Sequence, residues 1–347
     1  MVKVRNRVTL STVADAAGVS IGTVSAVLNN RQVARRIAPA TVEVVRLAAR
    51  KLGYMPDISA RRLRVQHDSR RSAVIAFITS YEAPLSVVTP IVLGLRDATQ
   101  ARGKGKEITF TLLVEMFSVG RLSEMPGLLS KQMFNAALIC NTDEEDDLFL
   151  GRTHLPYPVV LLNRVIAGYN CVVEDAAGGA RAAEALVRAK SKRLAVIHGS
   201  PLTQATKARV DSFMSMASRL LGVPPVEIVA KTLSEDAACS AMRQFLVSRS
   251  KIDGLFTVTD SMALGAYNAM KEAGLRIPQD VAVVGVGDYG ISPYFDPPLS
   301  TVGVRLEEYG RKVSSLVLDT LSTGGGEGPK RVDIPVDFVA RGSSSRS

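Results

Sequence analysis

The sequence predicts an all-α head of three short helices followed by a two-lobed α/β core. Three observations carry that prediction. The formal net charge of +10 is confined to the first fifth of the 347 residues: residues 1–72 hold 14 Lys and Arg against 4 acids, while 73–347 balance 29 against 29. Apolar positions recur at helical spacing in three short stretches between residues 9 and 53. Beyond residue 73, continuous apolar runs alternate with longer helical patterns, and the alternation runs twice, once before about Asn170 and once after it.

In the head, Leu10, Val13, Ala14 and Ala17 share one helix face, with Thr9 or Ser11 as the cap and Gly18-Val19 as the break. Ser20 caps a second helix starting at Ile21. Its inner stripe is Val24, Val27 and Leu28, and its other face carries Gly22, Ser25, Ala26 and Asn29. A third helix over 41–52 turns Val42, Val45, Ala49 and Leu52 to one side and places Arg50 and Lys51 at its C-terminal dipole. Three short helices, the first two joined by a tight glycine turn, make a helix-turn-helix unit. A basic head on a neutral body suits a polyanion. A small helical bundle of unrelated use leaves the charge unexplained.

Residues 66–72 are polar and aperiodic, as in a linker. Strands are expected over 73–79, 107–114, 136–141, 158–163, 193–198, 226–230, 253–258 and 281–286. Helices are expected over 88–101, 123–133, 178–189, 207–221, 236–247, 261–273 and 306–321. Apolar strands between helices indicate parallel sheets covered on both faces, which bind ligands at their strand C-termini.

Several function classes drop out. No apolar run reaches the ~18–20 residues of a membrane span, and no signal-peptide core follows the basic N-terminus, so a reducing cytoplasm is expected. Cys140, Cys171 and Cys239 form no Cys-x-x-Cys, and His67, His154 and His198 have no metal spacing, so no metal or other cofactor is expected. No nucleophile or metalloprotease motif is present. Gly285-Val286-Gly287-Asp288-Tyr289-Gly290 imitates a dinucleotide fingerprint, but Pro293 and Pro297-Pro298 break the helix it would need. The acidic run Glu144–Asp147 is expected to be a solvated loop.

The run Thr9-Leu10-Ser11-Thr12-Val13-Ala14-Asp15-Ala16-Ala17-Gly18-Val19-Ser20, with Thr23-Val24-Ser25 and Leu28-Asn29, resembles the headpiece of the lactose/galactose repressor (LacI/GalR) family. Tyr54-Met55-Pro56-Asp57 and Ala60-Arg61-Arg62-Leu63-Arg64 resemble that family's exit from helix three and its hinge helix. Further on, Asp175 with Gly178-Gly179, Arg209, Asp260 with Met262-Ala263-Leu264-Gly265, Asp288 and Pro297-Pro298-Leu299-Ser300-Thr301-Val302 resemble its periplasmic-binding-protein-like body.

The resemblance implies that the second helix enters the major groove of double-stranded DNA. Ile21, Gly22 and Ala26 then fall at base-reading positions. Thr9, Ser11, Ser20, Thr23, Ser25 and Asn29 fall at backbone or supporting ones. Ala26 stands where Arg or His is common and Gly22 has no side chain, so neither makes the bidentate contacts that discriminate bases. Ala60 and Leu63 lie in a hinge helix over about 57–64, too short to persist alone, with Leu63 as the minor-groove wedge. The implied domains are a head over 1–65, the linker 66–72 and a core over 73–341. Its lobes are about 73–170 with 299–326 and 171–298 with 327–341, joined by crossings near Asn170, Pro298 and Gly326.

In the cleft, Arg209 matches the family's effector-binding arginine, and Ser80, Tyr81 and Asn163 end strands at ligand-facing depth. Thr259, Asp260 and Asp288 complete the expected set. Three contacts usual for sugars are altered: Thr259 replaces Asn, Gly287 replaces an Asp, and Cys239 falls near a position that often carries an aromatic ring. The expected function is a cytoplasmic, homodimeric, sequence-specific repressor. It would bind a near-palindromic operator and answer to a sugar, a sugar derivative or another small metabolite, with a tetramer as the other assembly. A ligand-binding protein whose basic head serves another use is the second reading, and a metabolic enzyme the third.

Overall fold

The computed structural model describes residues 9–28, 37–52, 54, 71–81, 88–101, 108–130, 133–248, 251–323 and 328–346. It divides into two compact units, Met1–Val65 and Gln66–Ser347.

The head contains α1 (Leu10–Ala17), α2 (Ile21–Leu28) and α3 (Pro39–Leu52) around buried Val13, Ala14, Val24, Val27, Val42, Val45 and Ala49. Thr9, not Ser11, caps α1: its hydroxyl accepts from Thr12 N at 3.2 Å while Thr12 Oγ1 accepts from Thr9 N. Gly18 ends α1 at φ 65°, a left-handed conformation that glycine adopts without Cβ strain. The third helix starts two residues earlier than expected, at Pro39, whose fixed φ suits a first helical position.

The core contains β1 (Arg71–Ser80), α4 (Val88–Ala101), β2 (Ile108–Phe117), β3 (Ala136–Ile139), α5 (Glu144–Arg152), β4 (Val159–Leu162) and β5 (Asn170–Glu174). It continues through α6 (Gly178–Arg188), β6 (Leu194–Gly199), α7 (Gln204–Leu221), β7 (Val226–Ala230), α8 (Glu235–Val247), β8 (Gly254–Thr257), α9 (Asp260–Glu272) and β9 (Ala282–Gly287). The last elements are β10 (Ser300–Gly303), α10 (Leu306–Thr323), β11 (Arg331–Ile334) and β12 (Asp337–Val339). One sheet has the order β11-β5-β4-β3-β1-β2 and is parallel throughout. The other has the order β12-β10-β9-β8-β6-β7, and only β12 runs antiparallel. The central strands are buried along their whole length, as helices on both sheet faces require.

The chain crosses between lobes later than expected each time. The first crossing follows Glu174 rather than Asn170, because β5 belongs to the first sheet. The second follows Gly303 rather than Pro298, because β10 stays in the second sheet. The third follows Ile334 rather than Gly326, because β11 returns to the first. These strands are only four or five residues long and mix polar with apolar residues, so they carry little periodic signal.

Other expectations are corrected. Arg71 and Ser72 belong to β1, not to a linker. The helix expected over 123–133 is a single 3₁₀ turn, Leu122–Glu124, cut short before Pro126-Gly127. The acidic run is no loop but the first turn of α5. Asp143 caps it by accepting from Asp146 N at 3.0 Å, and the four acids face the positive helix end. The core also extends past residue 341: Ser343 is buried and donates to Val283 O, and Arg346 donates to Pro278 O at 2.7 Å.

Candidate nucleic-acid interface and interlobe site

In the head, Ser20 Oγ accepts from Thr23 N at 3.1 Å and lies 2.9 Å from Thr23 Oγ1, fixing the start of α2. Ile21 is half exposed and Gly22 is exposed, and Thr9 and Ser11 are exposed at the start of α1. Thr23 and Ser25 are half-buried. Ala26, expected to face outward, is only 4% exposed: a one-carbon side chain does not reach past the turns around it. The outward start of α2 is therefore Ile21-Gly22. Asn29, Ala60, Leu63 and the hinge span 57–64 lie outside the described residues.

In the core, the C-terminal ends of β3, β4, β8 and β9 converge with α7 and α10 on an interlobe cavity of about 70 Å³. Asn163, Arg209 and Thr259 line it, as do Cys140, Tyr289 and Tyr309. A second cavity of about 120 Å³ lies beside it, with Glu174 in its wall and Asn163, Arg164, Ala205 and Arg209 shared between the two. The close approach of α6 to α7 sets Arg209 in place, since a Cβ on Gly179 would lie 2.0 Å from Arg209 O.

Arg209 is engaged within the protein. Its Nη2 donates to Glu174 Oε2 at 2.7 Å across the cleft, and its Nη1 donates to Val258 O at 3.0 Å. Burial pulls the guanidinium's proton affinity down, but Glu174, Tyr289 and Asp260 outweigh it and hold the group above its ordinary value. Asn163 Nδ2 donates to Glu174 Oε1 at 3.0 Å, and Glu174 N donates back to Asn163 Oδ1 at 2.9 Å. A second bridge runs through Gln204 of α7, which donates to Asp147 Oδ2 at 2.9 Å and accepts from Val165 N at 3.1 Å.

Of the other expected site residues, Ser80, Tyr81, Asp260 and Asp288 are not gathered at the cavity. Asp260 is buried and accepts from Asp288 N, Ser292 Oγ and Thr301 Oγ1, each at 2.7 Å, so it fastens the loops after β9 to β10. Asp288 takes a two-pronged contact from Arg341 Nη2, at 2.8 and 3.1 Å. Thr259 Oγ1 is committed to capping α9 through Met262 N. Ser80 is buried at the end of β1, and Tyr81 beyond it is 64% exposed. Cys239 lies between α8 and α9, within reach of Asn268 Nδ2 at 3.7 Å, and not in the cleft.

Glu174, Arg164, Tyr289 and Tyr309 were missed. Arg164 is buried, with Nη1 donating to Asp147 Oδ1 at 2.8 Å and to Thr142 O at 2.9 Å. Burial pushes its proton affinity down against the pull of Asp147. Glu174 was findable as a carboxylate closing the apolar run Cys171-Val172-Val173, at the depth where Asn163 closes its own strand. Among the described residues no group of three or more His, Cys, Asp and Glu is arranged to hold a metal ion, and no single helix is long and apolar enough to cross a membrane.

Residues 9–57 match the family model described as bacterial regulatory proteins, lacI family, and residues 183–344 match that of the periplasmic binding protein-like domain. The HTH-type transcriptional regulator CelR of Thermobifida fusca is 29% identical, over 98% of this chain and 99% of its own. The HTH-type transcriptional repressor PurR of Haemophilus influenzae is 26% identical, over 96% of this chain and 98% of its own. The solved CelR–cellobiose complex superposes with a TM-score of 0.67 at 27% identity, covering 97% of this chain and 100% of that one.

Proposed function

Because the chain belongs to the LacI family of bacterial regulatory proteins, we propose that it is a cytoplasmic repressor that binds a near-palindromic operator and responds to a small molecule held between the core lobes. The observation that carries this reading is the capped turn from Gly18 to Ser20. It presents Ile21 and Gly22 at the exposed start of α2, on a head, residues 1–65, that carries +9 of the chain's formal +10. The bases serve phosphate contact and the α2 start serves the groove. With only a branched aliphatic side chain and a glycine there, sequence preference draws more on DNA shape than on bidentate base contacts.

Leu264, Ile291 and Tyr294 of one lobe, and Val92, Leu93 and Val114 of the other, are exposed apolar side chains. A homodimer covering such surface presents two recognition helices to two half-sites, which is the origin of operator symmetry. Of the expected effector contacts, Asn163, Arg209 and Thr259 line the cavity, and a ligand that uses Arg209 or Asn163 has to compete with Glu174. Asp260 and Asp288 are not in its lining and have their acceptors committed elsewhere.

The test is a gel shift of the full chain and of a chain lacking residues 1–65, over a salt series. If a dimer neutralises 6–10 phosphates, affinity should fall by about 10³–10⁵ between about 50 and 200 mM salt. Retained binding by the headless chain, or a flat salt response, overturns the reading.

A further inference from the structure

We propose that the outer edge of β7 is a second self-association surface, at which two copies of the chain pair antiparallel about a two-fold axis and so join two homodimers. This goes beyond the homodimer proposed above, which uses the apolar surfaces around Leu264 and Val92. β7 stands last in the order of the second sheet and pairs only with β6, in parallel. Among the described residues nothing hydrogen-bonds to its other side. A row of free N–H and C=O groups is a template for another strand.

Edge strands are commonly blunted by a proline, a bulge or a charge. The five residues Val226-Glu227-Ile228-Val229-Ala230 hold no proline and pair with β6 one for one, without a bulge. Val226 and Val229 are 44% and 57% exposed. Ile228 and Ala230 are buried and anchor the strand, so its backbone is already extended before a partner arrives.

The charges identify a second copy as the partner. Side chains alternate along a strand, so Glu227, Val229 and Lys231, the residue after β7, fall on one face. Glu227 is half exposed, and His198 Nε2 lies 3.5 Å from its carboxylate without the alignment of a hydrogen bond. Lys231 is exposed and has no ion-pair partner among the described residues. A two-fold axis normal to the sheet keeps every side chain on its own face, so opposed residues stand an even number of positions apart. Centred on Glu227, the axis sets the two carboxylates against each other. Centred on Ile228, it sets Glu227 against the partner's Val229. Centred on Val229, it sets Glu227 against the partner's Lys231 twice, with the two Val229 side chains between the pairs. Opposite charges directly across a strand pair are stabilising and like charges destabilising. A charge that would blunt the edge alone is thus complementary to the same edge in one register. A contact one strand wide is small, so the association is weak and depends on concentration.

The test is sedimentation velocity of the full chain over a concentration series, without DNA. The parent should pass from dimer to tetramer as concentration rises. Glu227→Lys alone, or Lys231→Glu alone, sets like charges across both contacts and should weaken that step about ten-fold or more. Neither should change the dimer or the far-ultraviolet circular dichroism. Glu227→Lys combined with Lys231→Glu should restore the tetramer. Mixing the two single variants should restore it too, because the two lysines of one copy then face the two glutamates of the other. A variant that merely misfolds is not rescued by such mixing. A parent that keeps the dimer mass at every concentration, single reversals that leave the tetramer intact, or single variants that ignore each other when mixed overturn the inference. Reversals that instead split dimers into monomers would support the strand pairing and overturn the homodimer at the apolar surfaces.

Discussion

The Glu174 carboxylate at the end of β5 and the Arg209 guanidinium on α7 meet across the interlobe cleft at 2.7 Å, with both side chains largely buried. The protein thus holds its two lobes together through its own charges. Any ligand that uses Arg209 must compete with, or bridge to, Glu174. Removing one partner strands the other charge in a poorly solvated place, which is costlier than the pair itself is stabilising. Arg209→Ala should therefore lower the unfolding free energy by about 3–5 kcal/mol, read by urea denaturation. Glu174→Gln, which keeps a hydrogen-bond acceptor, should lower it less. An Arg209→Ala midpoint equal to that of the parent would show that the pair contributes nothing.

Asp260 gives a pH prediction. Burial raises its carboxyl above the ordinary range, against the opposing pull of Thr301, Ser292 and the Asp288 amide. The folded state then binds a proton at pH values where the unfolded state has released it. Stability contributed by this group therefore falls as pH rises from the unfolded value of 3.8 through the raised folded one, and is level above it. Asp260→Asn should remove that segment of slope from urea midpoints measured across the acid range. Asp260→Ala leaves three donors without an acceptor and should cost about 3 kcal/mol or more at neutral pH.

Arg346, next to the C-terminus, reaches into the base of the second lobe. Its Nε donates to Pro278 O, its Nη1 to Ser191 Oγ at 3.2 Å, and its Nη2 to Asp253 O. One side chain thus ties together the segments before β6, β8 and β9. Arg346→Ala should reduce stability by about 2–4 kcal/mol, because the freed carbonyls are partly buried. An unchanged melting midpoint in differential scanning calorimetry would assign the tail no structural role.

The long elements were legible because burial on one or both faces imposes a period. The span of α4 follows from its apolar spacing, and β7 from its valine-rich run bounded by Pro225 and Lys231. The short strands β5, β10 and β11 were not legible: four or five residues with Asn170, Ser300 or Arg331 at their ends carry no period to detect. Missing them moved all three lobe crossings and hid Glu174, whose role depends on being the last residue of β5. In the cleft, residue type alone did not reveal that the carboxylates of Asp260 and Asp288 are engaged within the protein. Whether a carboxylate is free for a ligand depends on Ser292, Thr301 and Arg341, which lie 32 to 53 positions away in the chain.

The exposed start of α2 makes a specific prediction about readout. Ile21 is half exposed and outside the head's buried cluster, so Ile21→Ala should leave the head folded. It should weaken binding to the preferred site by about 1–3 kcal/mol, through lost contact with thymine methyl groups. Binding to unrelated DNA should hold steady, since phosphate contacts are untouched. Equal loss on both DNAs, by fluorescence anisotropy, would show that Ile21 supports the fold rather than reads the groove.

The central claim is that two copies of this chain read DNA as a symmetric pair of heads. The most direct measurement is selection of bound sequences from a random double-stranded pool by the full chain, with the chain lacking residues 1–65 run in parallel. The expected result is enrichment of a near-palindrome whose two half-sites are related by a two-fold axis, and no enrichment by the headless chain. Enrichment of an asymmetric site, no enrichment by the full chain, or the same sequences drawn out by both chains would contradict it.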